Sequence, residues 1–160
     1  FNSRVKTMAD VTAHTKASTP YVIYRKKPGI HGSGPLVRKM KGAALSEQAV
    51  RQEVVDSHLA ISLSKQESAS VYVACDDPEV QQNEIVRNLQ SLLLKKAPEV
   101  SFAAGNPMTD TKALSQFSEA DSVILMIRLK KTRYPMLDQW MELSRQYERP
   151  VAGLIVTEDC

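Results

Sequence analysis

The chain has 160 residues, 42% of them hydrophobic and 24% charged, with a formal net charge of +3 and two cysteines. That length suits one domain with a sizeable core, and the composition is that of an ordinary globular protein. No apolar run approaches the roughly 18 residues needed to span a membrane, and Phe1-Asn2-Ser3-Arg4 lacks the apolar region of a signal peptide.

The chain does not begin with Met, as expected of an excerpt from a longer protein. Cys75 and Cys160 stand in no metal or redox spacing, and His14, His31 and His58 are scattered. No metal site is therefore expected, and a reducing compartment is the default. Charge is unevenly spread. Residues 11–46 hold seven cations and no acid, residues 1–10 carry +1, and residues 47–160 are left with −5. A basic leading segment is joined to an acidic body, and such a segment can face anionic lipid or nucleic acid, or serve as a solvated linker.

In chain order, Thr7-Met8-Ala9-Asp10 has the form of a capping box and predicts a short helix over about 8–14. Thr19-Pro20 stops it, and Tyr21 to Tyr24 form a short strand. Residues 26–35 are a Gly- and Pro-rich connection. Gly29, Gly32 and Gly34 do not make a phosphate loop, because no strong helix follows and no Lys-Ser/Thr pair occurs.

Ser46 and Glu47 open a helix over about 46–60. A buried strand at 70–75 turns at Asp76-Asp77-Pro78 into a helix over 79–96, in which Ile85, Val86, Leu89, Leu92 and Leu93 recur at helical spacing. A strand at 100–104 precedes a short helix, capped by Asp110 or Thr111, that buries Ala113, Leu114 and Phe117. Residues 123–127 are the most hydrophobic run and form a central strand. Pro135 opens a helix presenting Met136, Trp140, Leu143 and Tyr147 as a core stripe, and the last strand covers 151–156.

This alternation predicts an α/β fold, a three-layer, mostly parallel sheet of P-loop or Rossmann-like kind. Ligands of such folds sit at the carboxyl ends of the strands. Here that edge carries residues 75–78, 104–107, 128–131 and 157–159.

Two stretches support a resemblance. Ala120, Asp121, the strand to Ile127, Thr132 and the later strand through Gly153 resemble the last strands of the bacterial protein-tyrosine kinases of capsule and exopolysaccharide synthesis. Arg4, Lys6-Thr7, Asp10 and residues 20–24 resemble the segment after the second transmembrane helix of polysaccharide chain-length determinants. The resemblance implies a basic juxtamembrane-like segment over 1–45, with a short helix and strand. A kinase-like domain, reduced relative to the kinases, follows over 46–160.

It also implies that the turn after the first core strand stands where those kinases carry a phosphate loop. Pro78, Glu79, Val80, Gln81, Gln82, Asn83 and Glu84 occupy that loop. Gln82 replaces its lysine, Gln81 a glycine, and Asn83 the hydroxyl residue that would hold magnesium. Val80 and Gln81 carry β-carbons that resist the inward turn of backbone N–H groups, and Glu79 and Glu84 bring negative charge. Ala104 takes the place of an aspartate.

The implied protein has no catalytic residues and no cofactor. It is a non-catalytic regulatory domain on the cytoplasmic side of the bacterial cell membrane, part of a larger membrane protein controlling polysaccharide chain length or export. Implied partners are synthesis or export components, a cognate kinase, or a second copy. Arg25, Lys26 and Lys27 would face anionic lipid, and nucleic acid is not the partner expected. Two alternatives stay open. One is a divergent nucleotide-binding enzyme, with Asp76 and Asp77 holding a cation and Lys130 or Lys131 reaching phosphate. The other is a soluble α/β interaction module. Cys75, without a neighbouring His, is expected to be a small buried hydrophobe.

Overall fold

The structure, a computed structural model, describes residues 3–15, 21–26, 35–40, 61 and 69–158. Six strands form one sheet: β1 Tyr21–Lys26, β2 Pro35–Met40, β3 Ser70–Ala74, β4 Ser101–Gly105, β5 Ser122–Arg128 and β6 Val151–Glu158. Their order is β2-β1-β6-β5-β3-β4. Every neighbouring pair is parallel except β1 with β2. The mostly parallel sheet read from the sequence is therefore present. β2 was not anticipated, because Gly and Pro in 26–35 signal a connection without showing that it returns as a hairpin partner. The helix expected over 46–60 lies outside the described residues.

Helices cover both faces, which makes the fold a three-layer, Rossmann-like α/β arrangement. α1 is Met8–His14, α2 Glu84–Lys96, α3 Thr111–Glu119 and α4 Tyr134–Gln146. Alternation along the strands sorts the core into two clusters. Val71, Val73, Ile124 and Met126 face Ile85, Val86, Leu89 and Leu93 of α2. Each such aliphatic burial contributes about 1.5–3 kcal/mol. On the other face Tyr72, Ala74, Val123 and Leu125 meet Phe117 of α3, Trp140 and Leu137 of α4, and Val5 and Val11 from the leading segment.

α1 begins with the expected capping box. The Thr7 hydroxyl accepts from the Asp10 amide, and the Asp10 carboxylate accepts from the Thr7 amide. The Lys6 amide donates to the same carboxylate and, with the Tyr134 phenol, holds its pKa below the ordinary value.

Three expectations are corrected. α2 starts at Glu84, not residue 79, because residues 80–82 form a 3-10 turn and Asn83 is the cap. α4 buries Leu137, Trp140 and Ser144, while Met136 and Leu143 are half-buried and Tyr147 caps the end. In α3, Ala113 and Phe117 are buried but Leu114 is only partly covered. Among the described residues, no helix is long and apolar enough to cross a membrane.

Candidate functional site at the strand ends

The connection after β3 leads outward to β4, and that after β5 leads the other way to β6. The crevice between the carboxyl ends of β3 and β5 is thus the topological switch point, where this architecture usually holds its ligand. Here side chains bridge it. Arg128 Nε donates to Asp76 Oδ1 at 3.0 Å, and the Thr132 hydroxyl donates to the same oxygen at 3.2 Å. That hydroxyl also accepts from the Arg128 amide at 2.9 Å, so the turn after β5 closes on itself. Thr132 is fully buried. Burial opposes the charge on Arg128, but hydrogen bonding and attraction to Asp76 outweigh it and raise the guanidinium's pKa.

The turn is fixed from outside as well. Lys130 takes a left-handed conformation (φ 69°), and its amide donates to the Val5 carbonyl. The Val5 amide in turn reaches the Thr132 carbonyl at 2.7 Å. Lys130 and Lys131 are exposed at this turn. Asp76 is engaged with Arg128 and Thr132. Among the described residues, no three His, Cys, Asp or Glu side chains group as a metal site.

The loop expected at the phosphate position has a definite geometry. Asp77 Oδ1 accepts from the Glu79 amide, and the Asp77 carbonyl accepts from the Val80 amide. The Gln82 and Asn83 amides donate to the carbonyls of Glu79 and Val80. Asn83 Oδ1 accepts from Ile85 at 2.9 Å and Val86 at 3.3 Å, which caps α2. Val80 is buried in the core under α2. Pro78, Glu79, Gln81, Gln82 and Glu84 are exposed. The amides of Glu79, Val80, Gln82 and Asn83 are thus turned into the loop itself rather than toward a common anion position.

A cavity of about 790 Å³ opens on the far side of β3, along β4, the last strand of the sheet among the described residues. Its lining comes from both faces of the sheet, with Val86 and Phe102 on one side and Tyr72 and Ala113 on the other. Gln81 crosses it, its amide donating to the Ala104 carbonyl at 3.1 Å. The loop after β4 is anchored by Asn106, whose Oδ1 accepts from Trp140 Nε1 at 3.2 Å and from the Met108 amide at 3.0 Å. Asp110 accepts from the Lys112 amide and caps α3.

Tyr72 lies on the wall of this cavity, with 1% of its surface exposed and a hydroxyl that has no hydrogen-bond partner. Burial first, and the Asp110 charge second, raise its pKa well above the ordinary phenol value, so it is a protonated donor. A β-carbon at Gly105 would lie 2.6 Å from this hydroxyl, so glycine is what makes room for it.

Cys75 is buried, and burial above all pushes its thiol up to about 12. It is not a nucleophile at neutral pH. Arg25 and Lys26 end β1, and Lys27 lies outside the described residues. Sequence reasoning placed Asp76, Arg128 and Ala104 on one edge of the sheet. It missed the Asp76–Arg128 pair, which joins residues 52 apart, and the fit of Tyr72 to Gly105. No family model, curated protein or solved structure matches the chain.

Proposed function

We propose that this chain is a non-catalytic, kinase-like interaction domain. In this reading it works on the cytoplasmic side of a bacterial membrane protein that controls polysaccharide chain length or export. One observation carries the non-catalytic part. In the loop from Asp77 to Glu84 the amides of Glu79, Val80, Gln82 and Asn83 are held in hydrogen bonds within the loop, and Gln82 stands where a phosphate-binding lysine would be needed. The Asp76 carboxylate, which could otherwise hold a cation, is engaged by Arg128 and Thr132. The domain's work is then binding, to synthesis or export components, a cognate kinase or a second copy, with the basic segment through Arg25–Lys27 toward anionic lipid.

Titration calorimetry with ATP and magnesium tests the reading. The expected dissociation constant is above about 1 mM, a binding free energy weaker than about −4 kcal/mol. Gln82→Lys alone should not restore binding, since Val80 stays buried and Asn83 still caps α2. Micromolar binding by the natural chain would overturn the proposal and favour a divergent nucleotide enzyme. For the membrane component, co-sedimentation should require anionic vesicles, weaken steeply with salt, and drop when Arg25, Lys26 and Lys27 are changed to Ser.

A further inference from the structure

Among the described residues, β4 ends the sheet and no strand pairs with its outer side. Ser101 donates to the Ala69 carbonyl, and the Gly105 carbonyl accepts from Cys75, so residues 101, 103 and 105 direct their backbone groups at β3. Phe102 and Ala104 must then direct theirs outward. The Ala104 carbonyl does so, and it is met there by the side-chain amide of Gln81 rather than by a strand. The cavity lies along this edge and reaches both faces of the sheet. An extended chain laid beside β4 drops alternate side chains onto opposite faces, which is the space this cavity offers.

The two sides differ in chemistry. Toward α2 the wall is apolar, through Val80, Val86 and Phe102. Toward α3 the lining includes Tyr72, whose hydroxyl has no hydrogen-bond partner, and Asp110, which brings a carboxylate to the same wall. A hydroxyl or carboxamide both accepts from a phenol and donates to a carboxylate. We infer that the β4 edge receives an extended segment of a partner protein. That segment alternates apolar side chains with Ser, Thr, Asn or Gln, and adds to the sheet as a further strand. The five residues of β4 set a span of about 17 Å. Exposed Asp110 on the rim disfavours an acidic segment. This deepens the interaction-domain reading and rests on it for the existence of a partner, while needing nothing from the nucleotide result.

The test uses the full chain and a phage-displayed library of eight-residue linear peptides. Enriched peptides should share the alternating pattern and compete with one another. N-methylation should separate the two sides of the bound strand. Methylating amides of one alternate set, those facing β4, should weaken binding by at least tenfold, and methylating the other set should change it less than twofold. Tyr72→Phe, a conservative change in the core, should weaken peptides carrying the hydroxyl or amide by threefold to tenfold. It should leave unchanged those in which that side chain is replaced by Ala. Amide hydrogen exchange should show protection at Phe102 and Ala104 on binding.

Failure to enrich any peptide, or equal sensitivity at every amide, would overturn the proposal. So would protection elsewhere on the molecule. A dimer that sedimentation detects and an enriched peptide dissolves would reassign the edge to a second copy. If ATP binds tightly while the peptide results hold, the non-catalytic reading falls and this surface stands. If ATP does not bind and no peptide does, the surface falls and the interaction reading must find another face.

Discussion

Between β3 and β5 the strand ends meet through the side chains of Asp76, Arg128 and Thr132, whereas on the other side of β3 the Ala104 carbonyl near the end of β4 meets the side-chain amide of Gln81. Both gaps sit on the same edge of the same sheet. The first is where a doubly wound fold ordinarily receives its ligand, and here the protein has filled it with its own charges. The second, at the margin of the sheet, is open among the described residues and contains a buried hydroxyl with no partner. Architecture therefore indicates where a site can form, and the local polar groups determine whether it is still vacant.

The comparison can be broken most forcefully at Asp76. Asp76→Ala leaves a largely covered guanidinium and a buried hydroxyl without their shared acceptor, and should cost about 2–4 kcal/mol in urea unfolding. Asp76→Asn, which keeps an acceptor oxygen, should cost less. A loss no greater than that of Asp77→Ala, which removes only a turn contact, would show that the pair does not hold the crevice shut.

On the open side, Gly105→Ala drives a methyl into the Tyr72 hydroxyl and should cost about 1–3 kcal/mol. Tyr72→Phe should be close to neutral alone, because the hydroxyl it removes is already unpartnered, and should restore most of the loss in the double variant. Additive losses would mean that the two residues do not meet as described.

Cys75 sharpens the contrast through pH. Its folded value, about 12, lies above the ordinary 9.0 because burial disfavours the thiolate. The thiol's contribution to stability is therefore complete below 9.0 and is lost as pH rises toward 12. In a Cys160→Ser background, iodoacetamide at pH 8 should label Cys75 only when the protein unfolds, and rapid labelling of the folded chain would contradict a closed strand end. The smallest effect is expected at Gln81→Ala. It removes one part-buried side-chain bond to the edge, costs about 0.5 kcal/mol, and should raise rather than lower peptide affinity.

The sheet was legible because its strands announce themselves. Residues 71–74 and 122–127 are buried without a break, and only a strand covered on both faces tolerates such a run. The α1 cap was legible for a similarly local reason, since Thr7 and Asp10 are three residues apart. The start of α2 was also within reach, because Asn83 followed by Glu84 is a capping signal. The turn at Asp76-Asp77-Pro78 instead suggests a helix opening at residue 79. What lies across the sheet was not readable. Nothing in the neighbourhood of Asp76 predicts Arg128, and nothing near Gly105 predicts a tyrosine hydroxyl. Those fits are set by strand order, which periodicity does not encode. The resemblance drew attention to residues 78–84, while the cavity lies beside them at the β4 edge.

The leading stretch of the chain has a mechanical consequence. The Ser3 carbonyl accepts from the Tyr134 amide at 2.8 Å, and Val5 exchanges backbone bonds with Lys130 and Thr132. Val5 and Val11 are sunk in the core behind these bonds. Load entering at Ser3 is thus delivered to the turn that holds Arg128 against Asp76, through three short backbone links. The β4 edge lies two strands farther along the sheet, and that load reaches it through β3 or along α4, whose Trp140 binds Asn106 after β4. A pull along the leading segment therefore reaches the sealed crevice before the open edge.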